Sequence, residues 1–227
     1  MSVTIPNPTP LFHITSINNL SKILESGALL SKSLLDAEMR QYCNIAHSHI
    51  QQRRNNIAIP INKGGKLPDY VPFSFAPRSP MLDSIRRGNV ASCQEPQENI
   101  LHLVVYAQAI DKESLNYVFT TGHAIMQPLE FFDSLESINK VDWEILLEPP
   151  LLGGYAKYWN NKENPLKPKW IDRARIRQAE FLVHEKLSWH LIASVATMTE
   201  DKAIEVRAML EKFDQIQPVR VMRNWYY

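Results

Sequence analysis

Apolar positions along the chain fall into two rhythms. Ile17, Leu20, Ile23 and Leu24 recur at helical spacing, with Ser16 placed as an N-cap and Gly27 as a stop. The same rhythm predicts a helix over Leu35 to about Arg54, a short one over Met81 to Arg87 closed by Gly88, and one over Leu129 to Ile138. Glu200 to Phe213 is amphipathic, with Ala203, Val206, Met209, Leu210 and Phe213 on one face. The second rhythm is short, apolar and rich in β-branched and aromatic residues. It predicts strands at Ile100 to Tyr106, Tyr117 to Thr121, Glu180 to His184, Ile192 to Met198 and Pro218 to Met222. Pro60 to Pro72 is interrupted by Gly64, Gly65 and Pro68 and reads as a loop. Helices gather early and strands late, which predicts the α+β class rather than a doubly wound sheet.

Composition narrows the class further. The chain has 227 residues, 44% hydrophobic and 22% charged, which suits one globular domain spanning residues 1–227. No repeat, linker or low-complexity stretch divides it. No run of about 18 apolar residues is present, so no membrane span is expected. The first ten residues lack the basic-then-apolar order of a signal peptide, and the two cysteines, Cys43 and Cys93, make no disulfide framework. A cytoplasmic protein is the expectation. Neither common glycine-rich phosphate loop occurs, so any dinucleotide that binds is held by other means. His47 and His49 lack a third ligand nearby, and no metal is expected.

Net charge is only +1, but its distribution is uneven. Between Tyr155 and Arg177 stand seven basic residues against Glu163 and Asp172, a local balance of +5 that leaves the rest of the chain at −4. Tyr155, Tyr158, Trp159 and Trp170 are interleaved with these charges. Lysines that track phosphates beside rings that stack on bases suit a single strand of nucleic acid. A solvated lysine-rich loop around a buried tryptophan reads the same way.

Three short pieces carry candidate chemistry. In Leu11-Phe12-His13-Ile14-Thr15, His13 and Thr15 lie two apart on an extended segment and point to one side. They read either as ligand groups or as a core histidine and a helix cap. Arg53 and Arg54 close the stretch His49 to Asn55, either as a solvated face or as a fork for phosphate. Glu180 opens an apolar strand behind Ala179, where a carboxylate is costly to bury without a partner; it reads as a functional carboxylate or as a strand end facing water.

Taken in order, HIT at 13–15, HIQQRRN at 49–55, DYVPFSFAPRSPML at 69–82, RQAEFLVH at 177–184 and the closing NWYY at 224–227 resemble the DarT family of DNA ADP-ribosyltransferase toxins. The resemblance covers essentially the whole chain. It implies an α+β ADP-ribosyltransferase fold in which a split mixed sheet surrounds an NAD cleft. It implies transfer of ADP-ribose from NAD to N3 of thymine in single-stranded DNA. Guanine, RNA or protein as acceptor, or a DNA-binding relative without catalysis, are the alternatives. Glu180 and Arg54 match the family's catalytic residues, and His13, Ile14, Thr15, Lys22, Leu30 and Arg54 its NAD contacts. The segment carrying Tyr158, Trp159, Lys167, Lys169, Trp170, Arg173 and Arg175 takes the place of the loop that presents the DNA base. A macrodomain-type antitoxin is the implied partner.

Overall fold

The computed structural model describes residues 4–126, 129–148 and 165–227. Tyr155, Lys157, Tyr158, Trp159 and Lys162 therefore lie outside the described residues.

The strands are β1 (Pro10–Ser16), β2 (Ala28–Leu30), β3 (Tyr70–Ser74), β4 (Ile100–Tyr106) and β5 (Tyr117–Thr120). They continue as β6 (Phe131–Phe132), β7 (Glu180–His184), β8 (Lys186–Ser188), β9 (Ser194–Thr197) and β10 (Val219–Val221). Eight of them form one sheet in the order β10-β9-β4-β1-β3-β7-β5-β6, and β2 pairs with β8 apart from it. The sheet is mixed, because β9 and β10 run parallel while its other pairs are antiparallel.

The sheet is nearly cut in two. β1 and β4 pair along their whole length, from Pro10 opposite Tyr106 to Ser16 opposite Ile100. β3 and β7 do the same, from Tyr70 opposite His184 to Ser74 opposite Glu180. Between these halves, β1 and β3 register at a single pair, Phe12 with Ser74. Pro72 supplies the reason. His13 Nδ1 donates to the Pro72 carbonyl at 2.9 Å, so that carbonyl faces β1. In an antiparallel strand the N–H and C=O of one residue point the same way. The donor that would continue the ladder towards Ile14 thus belongs to a proline and does not exist. The strands diverge there, and the main chain of Ile14 faces the gap.

One side of the sheet carries the main core, in which Leu11, Phe73, Leu103, Val105, Phe119, Phe181, Val183 and Val195 are buried. The helix Glu200–Lys212 lays Val206 and Leu210 into it. Thr199 caps that helix by accepting from Lys202 N at 3.4 Å. The other side is covered in two patches, one around Tyr226, Ile100 and Leu82, the other around Tyr70, Leu182 and Ile59.

Most elements stand where the patterning puts them. Ser16 caps the turn leading into the helix Leu20–Ser26, and Gly27 ends it at φ 65°. The expected helix over Leu35 to Arg54 is instead two short helices, Lys32–Ala37 and Ser48–Arg54. Met39, at φ 50°, stops the first, and the intervening residues are held by tertiary contacts instead of helical ones. Leu129 to Ile138 is not a helix. Phe131–Phe132 joins the sheet edge, where Phe132 stacks on Phe119 at 5.4 Å, and Leu135–Lys140 forms a 3-10 turn. The expected loop over Pro60 to Pro72 ends early, because β3 starts at Tyr70.

Candidate active site

Glu180 is the first residue of β7 and only 9% exposed. It follows a turn from the short helix Arg173–Ile176, which ends as Ala179 N bonds to Ile176 O at 3.0 Å. Arg54, the last residue of the helix Ser48–Arg54, reaches it across 126 residues of sequence. A single nitrogen, Nη1, donates to Oε1 at 3.0 Å and to Oε2 at 2.8 Å. The main-chain N–H of Ala124 adds a donor to Oε1 at 3.2 Å. Burial alone pushes this carboxyl up; the Arg54 guanidinium and then His123 overcome it and hold it at about 2. The group is a carboxylate at any physiological pH.

His123 and Ala124 sit on the loop after β5, and that loop is fixed from two directions. The hydroxyl of Thr120 accepts from Glu180 N at 3.0 Å and donates to the Gly122 carbonyl at 2.6 Å. Arg175 O accepts from His123 N at 3.0 Å. A Cβ at Gly122 would meet the Arg175 side chain, with Nη1 at 2.3 Å, so a larger residue there would have to displace that guanidinium. His123 Nδ1 lies 3.3 Å from Glu180 Oε1 and 3.4 Å from Ile125 N. The first contact needs a proton on that nitrogen and the second a lone pair, so the tautomer selects between them.

Phe12, Ser74 and Glu180 form one row across three strands. Two strand spacings place the β1 backbone at His13 roughly 10 Å from Glu180. His13 projects from the other side of that row, against Phe73 at 5.6 Å. Since Pro72 O only accepts, His13 carries its proton on Nδ1 and presents Nε2 as an acceptor. Desolvation lowers its pKa, partly offset by the Pro72 carbonyl, so the ring is neutral.

The remaining expected residues fall in three groups. The Ile14 side chain joins the cluster around Tyr226, which leaves its main chain for a ligand in the gap. Thr15 is buried, and its hydroxyl accepts from Asn19 Nδ2 at 3.1 Å. Lys22 and Leu30 stand elsewhere: Lys22 Nζ donates to Gln41 O at 2.8 Å, and Leu30 pairs with Lys186, beyond the opposite end of β7 from Glu180.

The basic stretch differs from an open stacking surface. Trp170 is 7% exposed, with Arg173 at 4.3 Å and Lys167 at 4.8 Å from its ring centre. Arg173 and Arg175 are buried, and Arg175 Nη2 pairs with Asp172 at 2.6 Å. Lys167 pairs with Glu148, and Lys169 Nζ with Asp142 at 2.7 Å. These residues lie just before Glu180, and among the described residues the Trp170 ring packs against cations of its own segment. Acidic residues far along the chain neutralise the lysines, which a local charge count cannot register. Sequence reasoning also missed Thr120, His123 and Ala124, whose roles come from the loop they share.

The whole arrangement is a buried, fully ionised carboxylate beside a guanidinium, at the point where a sheet divides. It suits stabilisation of a positive charge developing on a ligand held in the gap. Among the described residues no helix is long and apolar enough to cross a membrane, and no group of three or more His, Cys, Asp or Glu side chains is placed to hold a metal.

A family model described as "DarT: ssDNA thymidine ADP-ribosyltransferase" matches residues 12–227. A DNA ADP-ribosyl transferase of Thermus sp. (strain 2.9) is 40% identical over 229 residues, covering all of both chains. Among solved structures, Thermus sp. 2.9 DarT in complex with ADP-ribosylated single-stranded DNA aligns with a TM-score of 0.86 at 38% identity, covering 100% of both chains. The NAD+ complex of Thermus sp. 2.9 DarT aligns with a TM-score of 0.80 at 35% identity, covering 99% of this chain and 100% of that one.

Proposed function

The chain belongs to the DarT family of single-stranded DNA thymidine ADP-ribosyltransferases, and from that premise we propose how its residues divide the reaction. The enzyme transfers ADP-ribose from NAD+ to a thymine base in single-stranded DNA and releases nicotinamide. The observation that carries the assignment is the buried Arg54–Glu180 pair beside the divided sheet.

NAD+ enters the gap between β1 and β3. The main chain of Ile14, the Nε2 acceptor of His13 and the hydroxyl of Thr15 hold its nicotinamide ribose, and Lys22 and Leu30 serve parts of the cofactor further from the reacting bond. The bond from C1′ to the nicotinamide nitrogen breaks, its electron pair leaving with nicotinamide. The sugar that remains is cation-like, and the Glu180 carboxylate stabilises it while accepting from a ribose hydroxyl. To do so it exchanges part of its Arg54 contact for the substrate. Thymine N3 then bonds to C1′ and its proton passes to water. A guanidinium stays protonated in proteins, so Arg54 stabilises the developing anion on the base without taking that proton.

The base must be unpaired, because a duplex buries N3 within the stack. The segment carrying Tyr158, Trp159, Lys167, Lys169, Trp170, Arg173 and Arg175 is the candidate for presenting it. NAD+ and DNA are both supplied in the cytoplasm, which fits the absence of a membrane-crossing helix among the described residues. A macrodomain-type antitoxin is the partner implied by the family resemblance.

Mass spectrometry of oligonucleotides incubated with protein and NAD+ tests the reading. A thymine-containing single strand is expected to gain one ADP-ribose, while blunt duplex, RNA and protein acceptors gain none. Modification of guanine in a strand without thymine, or of RNA or protein in preference to DNA, would overturn the base assignment.

A further inference from the structure

Asn19 occupies the N-cap position of the helix Leu20–Ser26 but makes no capping bond with its side chain. Asparagine at this position ordinarily accepts from the first turn of its own helix. Here the amide is turned away, 6% exposed, and used at both ends by other segments. Its Oδ1 accepts from Cys43 N at 2.7 Å, and its Nδ2 donates to Cys43 O at 3.0 Å and to Thr15 Oγ1 at 3.1 Å. The exchange of two bonds with one backbone residue is what a strand neighbour would make, supplied by a side chain.

Cys43 lies between the helices Lys32–Ala37 and Ser48–Arg54, in the part of the chain that the patterning reads as continuous helix. That connection is held in place from outside. Lys22 Nζ binds Gln41 O at 2.8 Å, Ser92 Oγ binds Ala46 O at 3.0 Å, and Asn44 and Gln51 exchange side-chain bonds at 3.1 and 3.2 Å. Asn19 is the buried member of the set, and it alone among these also touches the β1 motif. By donating to Thr15 Oγ1 it leaves the Thr15 hydroxyl proton to be given elsewhere.

We propose that Asn19 is a positioning residue that ties the connection leading into the Arg54 helix to Thr15 of the cofactor strand, so that both walls of the NAD+ site are set from one amide. The inference rests on the assignment of His13 to Thr15 to NAD+. Lys22 secures the same connection, its ammonium donating to Gln41 O.

The test uses the full chain with Asn19→Leu and Asn19→Asp. Asn19→Leu keeps the branching of the side chain and removes all three bonds. Asn19→Asp keeps an acceptor for Cys43 N and accepts from the Thr15 hydroxyl, which turns that proton away from the ligand. Hydrogen exchange of peptides spanning residues 40–47 is expected to quicken at least tenfold in Asn19→Leu and less in Asn19→Asp, with β4 peptides unchanged in both. KM for NAD+ is expected to rise about tenfold in both, with kcat changing less. Unchanged exchange over residues 40–47, or faster exchange with unchanged KM, would overturn the positioning role. His13→Ala and Thr15→Ala, measured beside them by calorimetry with NAD+, check the assignment beneath. If neither weakens binding while Asn19→Leu still frees the connection, it is the cofactor assignment that fails.

Discussion

Glu180 keeps its charge where water is nearly excluded because Arg54 donates to both of its oxygens. The carboxyl, ordinarily near 4.5, is held at about 2 in the folded protein. Its folded value is the lower one, so the pair's contribution to stability is complete above about pH 4.5 and is lost as pH falls towards about 2. An NMR titration of the Glu180 carboxyl in the ligand-free enzyme is expected to show no midpoint above about 4; one near 6 would mean that the ion pair does not form in solution. In the proposed mechanism the same group acts on charge present only in the transition state. Glu180→Gln is therefore expected to lower kcat by roughly a thousandfold or more while NAD+ affinity stays within about tenfold. Turnover near that of the parent protein, in a folded variant, would remove Glu180 from the chemistry.

At the scale of elements, one proline decides how the sheet opens. Pro72 takes its place in β3 at no cost to the pairing with β7, because its missing N–H lies on the β1 side. Pro72→Ala would put a donor opposite Ile14 and favour closure of the gap. Expected are a retained fold and NAD+ binding weakened by about three- to tenfold, read by calorimetry. Equal affinity would mean that the divergence is set by the packing on either face. The turn before Glu180 is a second such element. Trp170, Arg173 and Arg175 hold it from inside, so changes there are expected to act through the shape of the site.

The molecule as a whole is closed by its last residues. Tyr226 is fully buried, and its hydroxyl lies 2.8 Å from Ile100 O on β4 and 3.2 Å from Ala196 O on β9. Tyr227 docks beside it, exchanging bonds with the Gln97 side chain at 2.7 and 3.1 Å. Burial pushes the Tyr226 hydroxyl far up, so it stays a donor throughout the working pH range. Tyr226→Phe leaves two strand carbonyls without that donor and is expected to cost about 1–3 kcal/mol, or roughly 2–12 °C in Tm for a chain of this size. Activity at 25 °C should persist, since phenylalanine keeps the ring that packs in the cluster beside Ile14 and loses only the hydroxyl. An unchanged melting temperature would show that the C-terminus is not part of the closure.

The sequence by itself determined the elements whose cause is local. Ile100 to Tyr106 is a strand because seven apolar or half-polar residues in a row fit a buried strand, and Gly27 ends a helix because its neighbours require a left-handed turn. It also offered candidates for the chemistry, since HIT, RRN and QAEF resemble a known family's motifs, although each read alone also fits a purely structural role. Only the tertiary structure decided what those residues meet. Arg54 finds Glu180 across 126 positions because the strand order puts β7 beside β3 and the helix Ser48–Arg54 above them. Lys167 and Lys169 meet Glu148 and Asp142 for the same reason. The helix expected through Cys43 breaks because Asn19 and Lys22 give its backbone partners that helical bonds would otherwise provide. Periodicity and caps act over a few residues and can be read along the chain, whereas hydrogen bonds and charges act over a few ångströms and depend on which distant segments folding brings there.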